Sequence, residues 1–358
     1  LLFISIILIL LLGYPVAFTL AGTSLIFAFI GIVTGSFEQA FLTGLPNRLY
    51  GIMTNTTLLA VPLFIFMGIT LEKSQIAEDL LESLSNLFWR FKGSLGIAVT
   101  IIGMLLAAST GIVGATVVTM GLLALPTMLN KGYSAEISTG TICAAGTLGQ
   151  IIPPSIVLVM LGDVISSSYQ YAQLTQGNFA PRTVSVGDLF AGALIPGLCL
   201  VLLYILYIIL AGIFKPHMVP PESQKKPASQ NIKKILTSLF APLFLIFSVL
   251  GSILFGFATP TEAAGCGAMG SLLLALAYKK LTLRKLQDAL VKTLEISALI
   301  MVLVAASNFF GAVFSRLGTP MLLTEFLLGL EMNRYLILAM IMAMIFLLGW
   351  PLEWVPIV

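Results

Sequence analysis

Charge is what this sequence has least of. Of its 358 residues, 9% are Asp, Glu, Lys or Arg, and His217 is the single histidine. A soluble globular chain carries about 25% charged residues. With 58% apolar residues, this chain reads as a polytopic membrane protein. Cys143, Cys199 and Cys266 stand apart in apolar sequence. Lacking a Cys-x-x-Cys pair, they suggest neither a zinc site nor a disulfide framework, and are read as small packing residues. His217 sits in a proline-rich linker and no aspartate pair occupies adjacent apolar runs, so an intramembrane protease or transferase has no nucleophile and base. A channel would need a filter motif or a continuous polar lining, and neither is evident. No arginine-rich, aromatic-interleaved patch suggests nucleic acid.

What the chain has is apolar runs, parsed at about 20 residues per membrane span. Leu1–Leu12 meets Val16–Val33 across Gly13-Tyr14-Pro15, as one kinked helix or two short ones. Further spans are expected at Leu58–Leu71, Leu95–Ala108, Val113–Leu129, Glu136–Ala145, Ile151–Leu161, Leu189–Phe214, Ile235–Phe257, Ala263–Tyr278, Ile296–Val313 and Tyr335–Leu348. Residues 74–90 and 281–293 carry apolar stripes among charges, as arm helices lying along a membrane do. The chain opens and closes inside apolar runs; it is read as a fragment cut at both ends, without a signal peptide.

Residues 163–188 are polar and are expected to lie outside the membrane. The segments 215–234 and 279–292 hold ten of the 18 basic residues, which favours the cytoplasmic side for both. A weak internal repeat divides the chain into a first half, 1–214, a cytoplasmic linker, 215–234, and a truncated second half, 235–358. In each half an apolar span, a charged junction (Glu72-Lys73, or Arg316) and an amphipathic stretch precede a span that ends in a break. The breaks are Ser109-Thr110-Gly111 and Gly349-Trp350-Pro351-Leu352-Glu353. The expected fold is all-α, with inverted repeats and broken-helix hairpins.

Two interrupted stretches, Ala107–Gly114 and Gly146–Ser155, are the most informative. Each sets helix-breaking Gly or Pro beside small hydroxyl residues within apolar sequence. Non-helical backbone at membrane depth is tolerated only where it is buried in protein or lines a wet cavity. Paired broken helices are how secondary transporters expose carbonyls, amides and half-helix ends to ions and substrates. Hard cations prefer oxygen ligands. Ser109, Thr110, Gly111, Gly114, Gly146, Thr147 and Gly149 are therefore the candidate cation site, with no cofactor expected beyond the ion. Close packing of small residues would enrich the same residue types. Pro153 and Pro154 lack amide donors and free the carbonyls they would have paired. An anionic substrate would suit a half-helix N-terminus; Thr116, Pro153, Pro154, Ser155 and Asn308 are the candidates for it. Glu262, after Thr259-Pro260-Thr261, is as well explained by helix capping as by transport.

The run Ala108-Ser109-Thr110-Gly111-Ile112-Val113-Gly114-Ala115-Thr116, with Gly146-Thr147-Leu148-Gly149-Gln150-Ile151-Ile152-Pro153-Pro154-Ser155, resembles the large membrane subunit of tripartite ATP-independent periplasmic (TRAP) transporters, DctM type. Val186–Phe190, Ala258–Ala264 and Ala60–Gly68 match as well, in order along essentially the whole chain. The long 163–187 insertion is like the branch labelled mannitol or chloroaromatic compound transport. The resemblance implies a sodium-coupled elevator in a bacterial inner membrane. It implies a small four-helix membrane subunit (DctQ type) and a periplasmic solute-binding protein (DctP type) as partners, with an organic acid, such as a dicarboxylate, as substrate. A stand-alone sodium:anion symporter is the alternative, separated by whether a binding protein is needed.

Overall fold

The computed structural model describes residues 1–74, 84, 87–88, 92–110, 113–219, 232–329, 333–350, 352 and 354–357. Most of the expected arm 74–90, most of the linker, Gly111 and Glu353 lie outside the described residues. All regular structure among the described residues is helical. In chain order the helices are α1 (Leu2–Leu11), α2 (Val16–Val33), α3 (Ala40–Thr43), α4 (Leu45–Met53), α5 (Ala60–Lys73), α6 (Ser94–Thr110) and α7 (Val113–Asn130). There follow α8 (Ala135–Thr147), a 3-10 turn (Leu148–Gln150), α9 (Ile156–Thr175), α10 (Val186–Phe214), α11 (Ile232–Leu254) and α12 (Pro260–Ala277). The last are α13 (Leu283–Arg316), α14 (Thr319–Gly329), α15 (Arg334–Leu348) and α16 (Trp354–Ile357). Among the described residues, α2, α10 and α13 are long and apolar enough to cross a membrane.

Local chemistry explains the boundaries. Gly13, at φ +86°, and Pro15 separate α1 from α2, so the opening run is two helices. A left-handed residue followed by a proline ends one helix and starts the next. The expected arm at 281–293 and span at 296–313 form one helix, α13, of 34 residues. No proline, and only Gly311, interrupts it, so nothing stops propagation. At 1.5 Å per residue it is about 51 Å long, well beyond a hydrocarbon core of about 30 Å.

The helices form two compact units by packing, which do not follow the division at the linker. The first comprises Leu1–Asn55 and Ile296–Val358. In it α1 packs on α2, and the guanidinium groups of Arg48 and Arg316 lie 4.9 and 4.8 Å from the centre of the Phe41 ring. Phe18, Phe29 and Val33 of α2 are exposed. An uncovered apolar face of this kind suits lipid.

The second unit, Thr56–Glu295, has two chemically distinct ends. α10 runs 29 residues, about 43 Å, from one to the other. At its C-terminal end Lys92, which precedes α6, lies against Gly212. There too the Ser134 amide donates to the Met218 carbonyl at 2.9 Å. The starts of α6 and α8 and the end of α7 therefore share an end with Lys92, Lys131 and Lys215. At the other end two capping boxes begin α10 and α12: Ser185 with Asp188, and Thr259 with Glu262. The Thr261 hydroxyl donates to the Thr56 carbonyl there at 2.8 Å, tying α12 to the chain before α5. The first end is the more basic, its three lysines set against Glu136 of α8; the other, with Asp188 and Glu262 against Arg182 of the loop, is the more acidic. α5 packs most extensively on α12, whose buried Ala263, Ala264, Ala268 and Ser271 allow close approach.

The polar segment 163–188 is part helix: α9 continues to Thr175, and a loop follows. Gln173, 9% exposed, organises that loop. Its Oε1 accepts from the Arg182 amide (3.1 Å) and Asn178 Nδ2 (3.0 Å), and its Nε2 donates to the Arg182 carbonyl (3.0 Å). Replacing Gln173 with Leu removes all three bonds, each worth about 1 kcal/mol. Limited proteolysis is expected to cut residues 176–185 faster in Gln173→Leu than in wild type, with the helices unchanged by circular dichroism.

Candidate functional site: a re-entrant hairpin packed on a broken helix

α6 enters the second unit at its basic end, and α7 returns to that end. The pair is a re-entrant hairpin; residues 111–112, which join its arms, lie outside the described residues. Both arms are apolar; Ser109 and Thr110 still belong to α6.

α8 also starts at the basic end. Ser134 caps it, its Oγ accepting from the Ile137 amide at 3.3 Å. Thirteen residues on, about 20 Å into the unit, the α-helix stops. The 3-10 turn follows, then Ile151–Ser155, with a cis peptide between Pro153 and Pro154. α9 then carries the chain to the acidic end, so α8 and α9 make one discontinuous crossing. Ser155 opens α9: its Oγ accepts from the Leu158 amide (3.4 Å) and donates to the Gln150 carbonyl (2.8 Å). A continuous helix would pair the carbonyls of Gly149 and Gln150 with the amides of residues 153 and 154, which the prolines lack. Ser155 therefore engages one of the two carbonyls that the prolines leave over. The carbonyl of Gly149, itself buried, is the other.

The break is enclosed by protein, as backbone unpaired at membrane depth requires. The 3-10 turn packs on α6 and α7. Leu148 and Ile152 join Val201 of α10 in a buried cluster. Just before the break, α8 wedges between the hairpin arms. A Cβ on Gly146 would stand 2.3 Å from Val117 Cγ2 of α7, and a Cβ on Gly103 of α6 would stand 2.5 Å from Ala145 Cβ. Glycine at both points permits a contact closer than any side chain allows.

The residues singled out from sequence fall as follows. Gly146 and Gly149 are buried at the break, and Thr147 is exposed, its hydroxyl donating to the Ala144 carbonyl at 2.8 Å. Gly114, in the first turn of α7, is exposed, and Thr116 is buried. Pro153, Pro154 and Ser155 are buried. Of Ser109 and Thr110 the helical backbone is described, and Gly111 lies outside the described residues. Asn308 belongs to the other unit, where it is exposed on α13; the hydroxyl of its neighbour Ser307 is buried without a hydrogen-bond partner among the described residues. Hairpin and break are thus brought together as elements.

Two cavities are described in this unit. One, of about 390 Å³, lies between α6, α8 and α10 and is lined by Thr100, Gly140, Thr141, Ala144, Tyr204 and Tyr207 among others. The other, of about 610 Å³, opens at the acidic end beside Thr56, Asp163, Ser166, Ser185 and Thr259. Neither is lined by a residue chosen from sequence for cation or substrate. At the acidic end Glu262 is a capping residue: its Oε2 accepts from the Thr259 amide and hydroxyl, both at 2.8 Å. These bonds, the backbone one foremost, hold the Glu262 carboxyl below the ordinary carboxylate value. Sequence reasoning passed over Glu72 of α5 as a site residue; it accepts a hydrogen bond from Thr119 of the hairpin, 47 residues away, at 2.8 Å. No local pattern announces such a pair.

Known proteins place this arrangement. Residues 3–358 match the family described as tripartite ATP-independent periplasmic transporter, DctM component. The C4-dicarboxylate TRAP transporter large permease protein DctM of Pseudomonas aeruginosa is 28% identical over 87% of this chain and 69% of its own length. The sialic acid TRAP transporter large permease protein SiaM of Vibrio cholerae is 28% identical over 95% and 74%. The ectoine TRAP transporter large permease protein TeaC of Halomonas elongata is 27% identical over 88% and 68%. An all-α membrane protein by composition and fold, the chain belongs to the DctM family of TRAP transporter large permeases.

Proposed function

We propose that this chain works as the large permease subunit of a sodium-coupled, binding-protein-dependent importer of a small organic anion. The observation that carries the reading is the re-entrant hairpin packed, at Gly146 and Val117, on a crossing that is itself broken. Ser109, Thr110, Gly111 and Gly114 supply one side of the sodium site; Gly146, Thr147 and Gly149 supply the other. A hydroxyl whose proton is committed to the Ala144 carbonyl presents lone pairs alone, as Thr147 does. The Gly149 carbonyl, denied Pro153, adds an oxygen. The anion meets the start of α9, where the dipole is positive, near Pro153, Pro154 and Ser155, with Thr116 as a further contact.

The elevator reading takes the hairpin and broken crossing as the moving body. The family description names a tripartite, periplasmic, ATP-independent system. This supports a small membrane subunit and a periplasmic binding protein as partners in a bacterial inner membrane, with the basic end cytoplasmic. The relatives' names span C4-dicarboxylate, sialic acid and ectoine, so the anion preference rests on the half-helix.

The test is uptake into proteoliposomes by the complete permease and its small subunit, with and without a sodium gradient and added binding protein. Uptake is expected to need both. Uptake driven by sodium without the binding protein would replace this reading with a stand-alone symporter.

A further inference from the structure

Glu72 is the penultimate residue of α5, followed by Lys73 at the end of a helix that is apolar through most of its length, and it sits well inside the second unit. It lies 12 residues, about 18 Å, from the start of α5 at the acidic end. Its partner Thr119 lies 11 residues, about 16 Å, from the end of α7 at the basic end. The two distances place the pair within the apolar thickness of the unit. Both residues are half-buried, and the bond joins α5 to the second hairpin arm. An ionisable group at such depth is expensive and is kept for a purpose.

The other face of α7 explains the purpose. Val117 and Thr119 are two residues apart, about 200° around a helix of 3.6 residues per turn. Val117 meets α8 at Gly146, while Thr119 meets Glu72. The arm is therefore held from opposite sides at one height, by close apolar packing on one and by a charge-assisted hydrogen bond on the other. That height is about one turn along the same arm from Gly114, a candidate cation residue.

We propose that Glu72 is a positioning residue for the hairpin: through Thr119 it pins the arm α7 against α5, and so sets that arm for cation binding. The inference rests on the reading of the hairpin as the cation site. The experiment combines two readouts on the complete permease: hydrogen–deuterium exchange over residues 113–120, which needs no ligand, and equilibrium binding of radiolabelled sodium. Thr119→Val is expected to speed exchange in α7 and weaken sodium binding, each about tenfold, as loss of a hydrogen bond to a charged group allows. Glu72→Ala should match it, and the double variant should be no worse than either single, because both remove one interaction. Thr119→Ser, which keeps the hydroxyl, should restore both readouts, which a change in overall stability alone would not produce. Unchanged exchange and binding in Thr119→Val, or a Thr119→Ser variant as defective as Thr119→Val, would overturn the proposal. A wild-type permease that binds no sodium would refute the cation reading instead, and the exchange rates would then decide the clamp by themselves.

Discussion

Gly146→Ala is expected to abolish transport and to destabilise the permease by about 1–3 kcal/mol, the usual cost of overpacking. The added methyl would stand 2.3 Å from Val117 Cγ2, which must move, and the Val117 Cα and Cβ at 3.4 Å leave no slack around it. Valine is also stiff about χ1 in a helix. Relief must come from separating α8 from α7, which pulls the break away from the hairpin. Two controls make the result specific. Gly140→Ala on the same helix meets nothing within 4 Å and should transport like wild type. Val117→Ala removes the obstructing methyls, and the pair Gly146→Ala with Val117→Ala should recover much of what Gly146→Ala loses. Thermal unfolding and uptake, measured on all four proteins, check the set. An inactive double variant with restored stability would show that Gly146 serves something beyond fit.

Thr147→Val should raise the sodium concentration for half-maximal uptake at least tenfold. Valine keeps the shape of threonine and removes its oxygen, and one contact to a charged group is worth about 1.5–3 kcal/mol. Thr147 is exposed and its proton is already placed on the Ala144 carbonyl, so removing its oxygen takes away the proposed ligand without disturbing buried packing. Thr147→Ser should behave like wild type. Ser109→Ala is expected to act in the same direction, from the opposing hairpin. Sodium titrations of uptake at fixed substrate measure all three.

The sequence and the structure agree most where the chemistry is local. Gly146 through Ser155 announces its own interruption, because two prolines remove amides and a serine is poised to restart the helix; the structure ends α8 at Thr147 and caps α9 with Ser155. Thr259-Pro260-Thr261-Glu262 carries a capping box in its spacing. Composition is silent where propensity decides. It sets Asp163 to Thr175 outside the membrane and leaves its conformation open; α9 continues through it because its residues tolerate a helix and nothing breaks it. Residues 283–316, chemically two segments, propagate as one helix for the same reason. Long-range pairs were illegible: Glu72 looked like a charged junction, and only the fold brings Thr119 to it. The wedge of Gly146 against Val117 was likewise hidden, since composition does not say which neighbour a glycine admits.

Radiolabelled sodium binding to the purified complete permease, wild type against Thr147→Val and Ser109→Ala, tests the cation site at its source, with no substrate or partner required. Saturable binding by the wild type, weakened at least tenfold in both variants and retained in Thr147→Ser, is the predicted result. Saturable binding that neither substitution alters would place the cation elsewhere and contradict the assignment of the hairpin and the broken helix as its site.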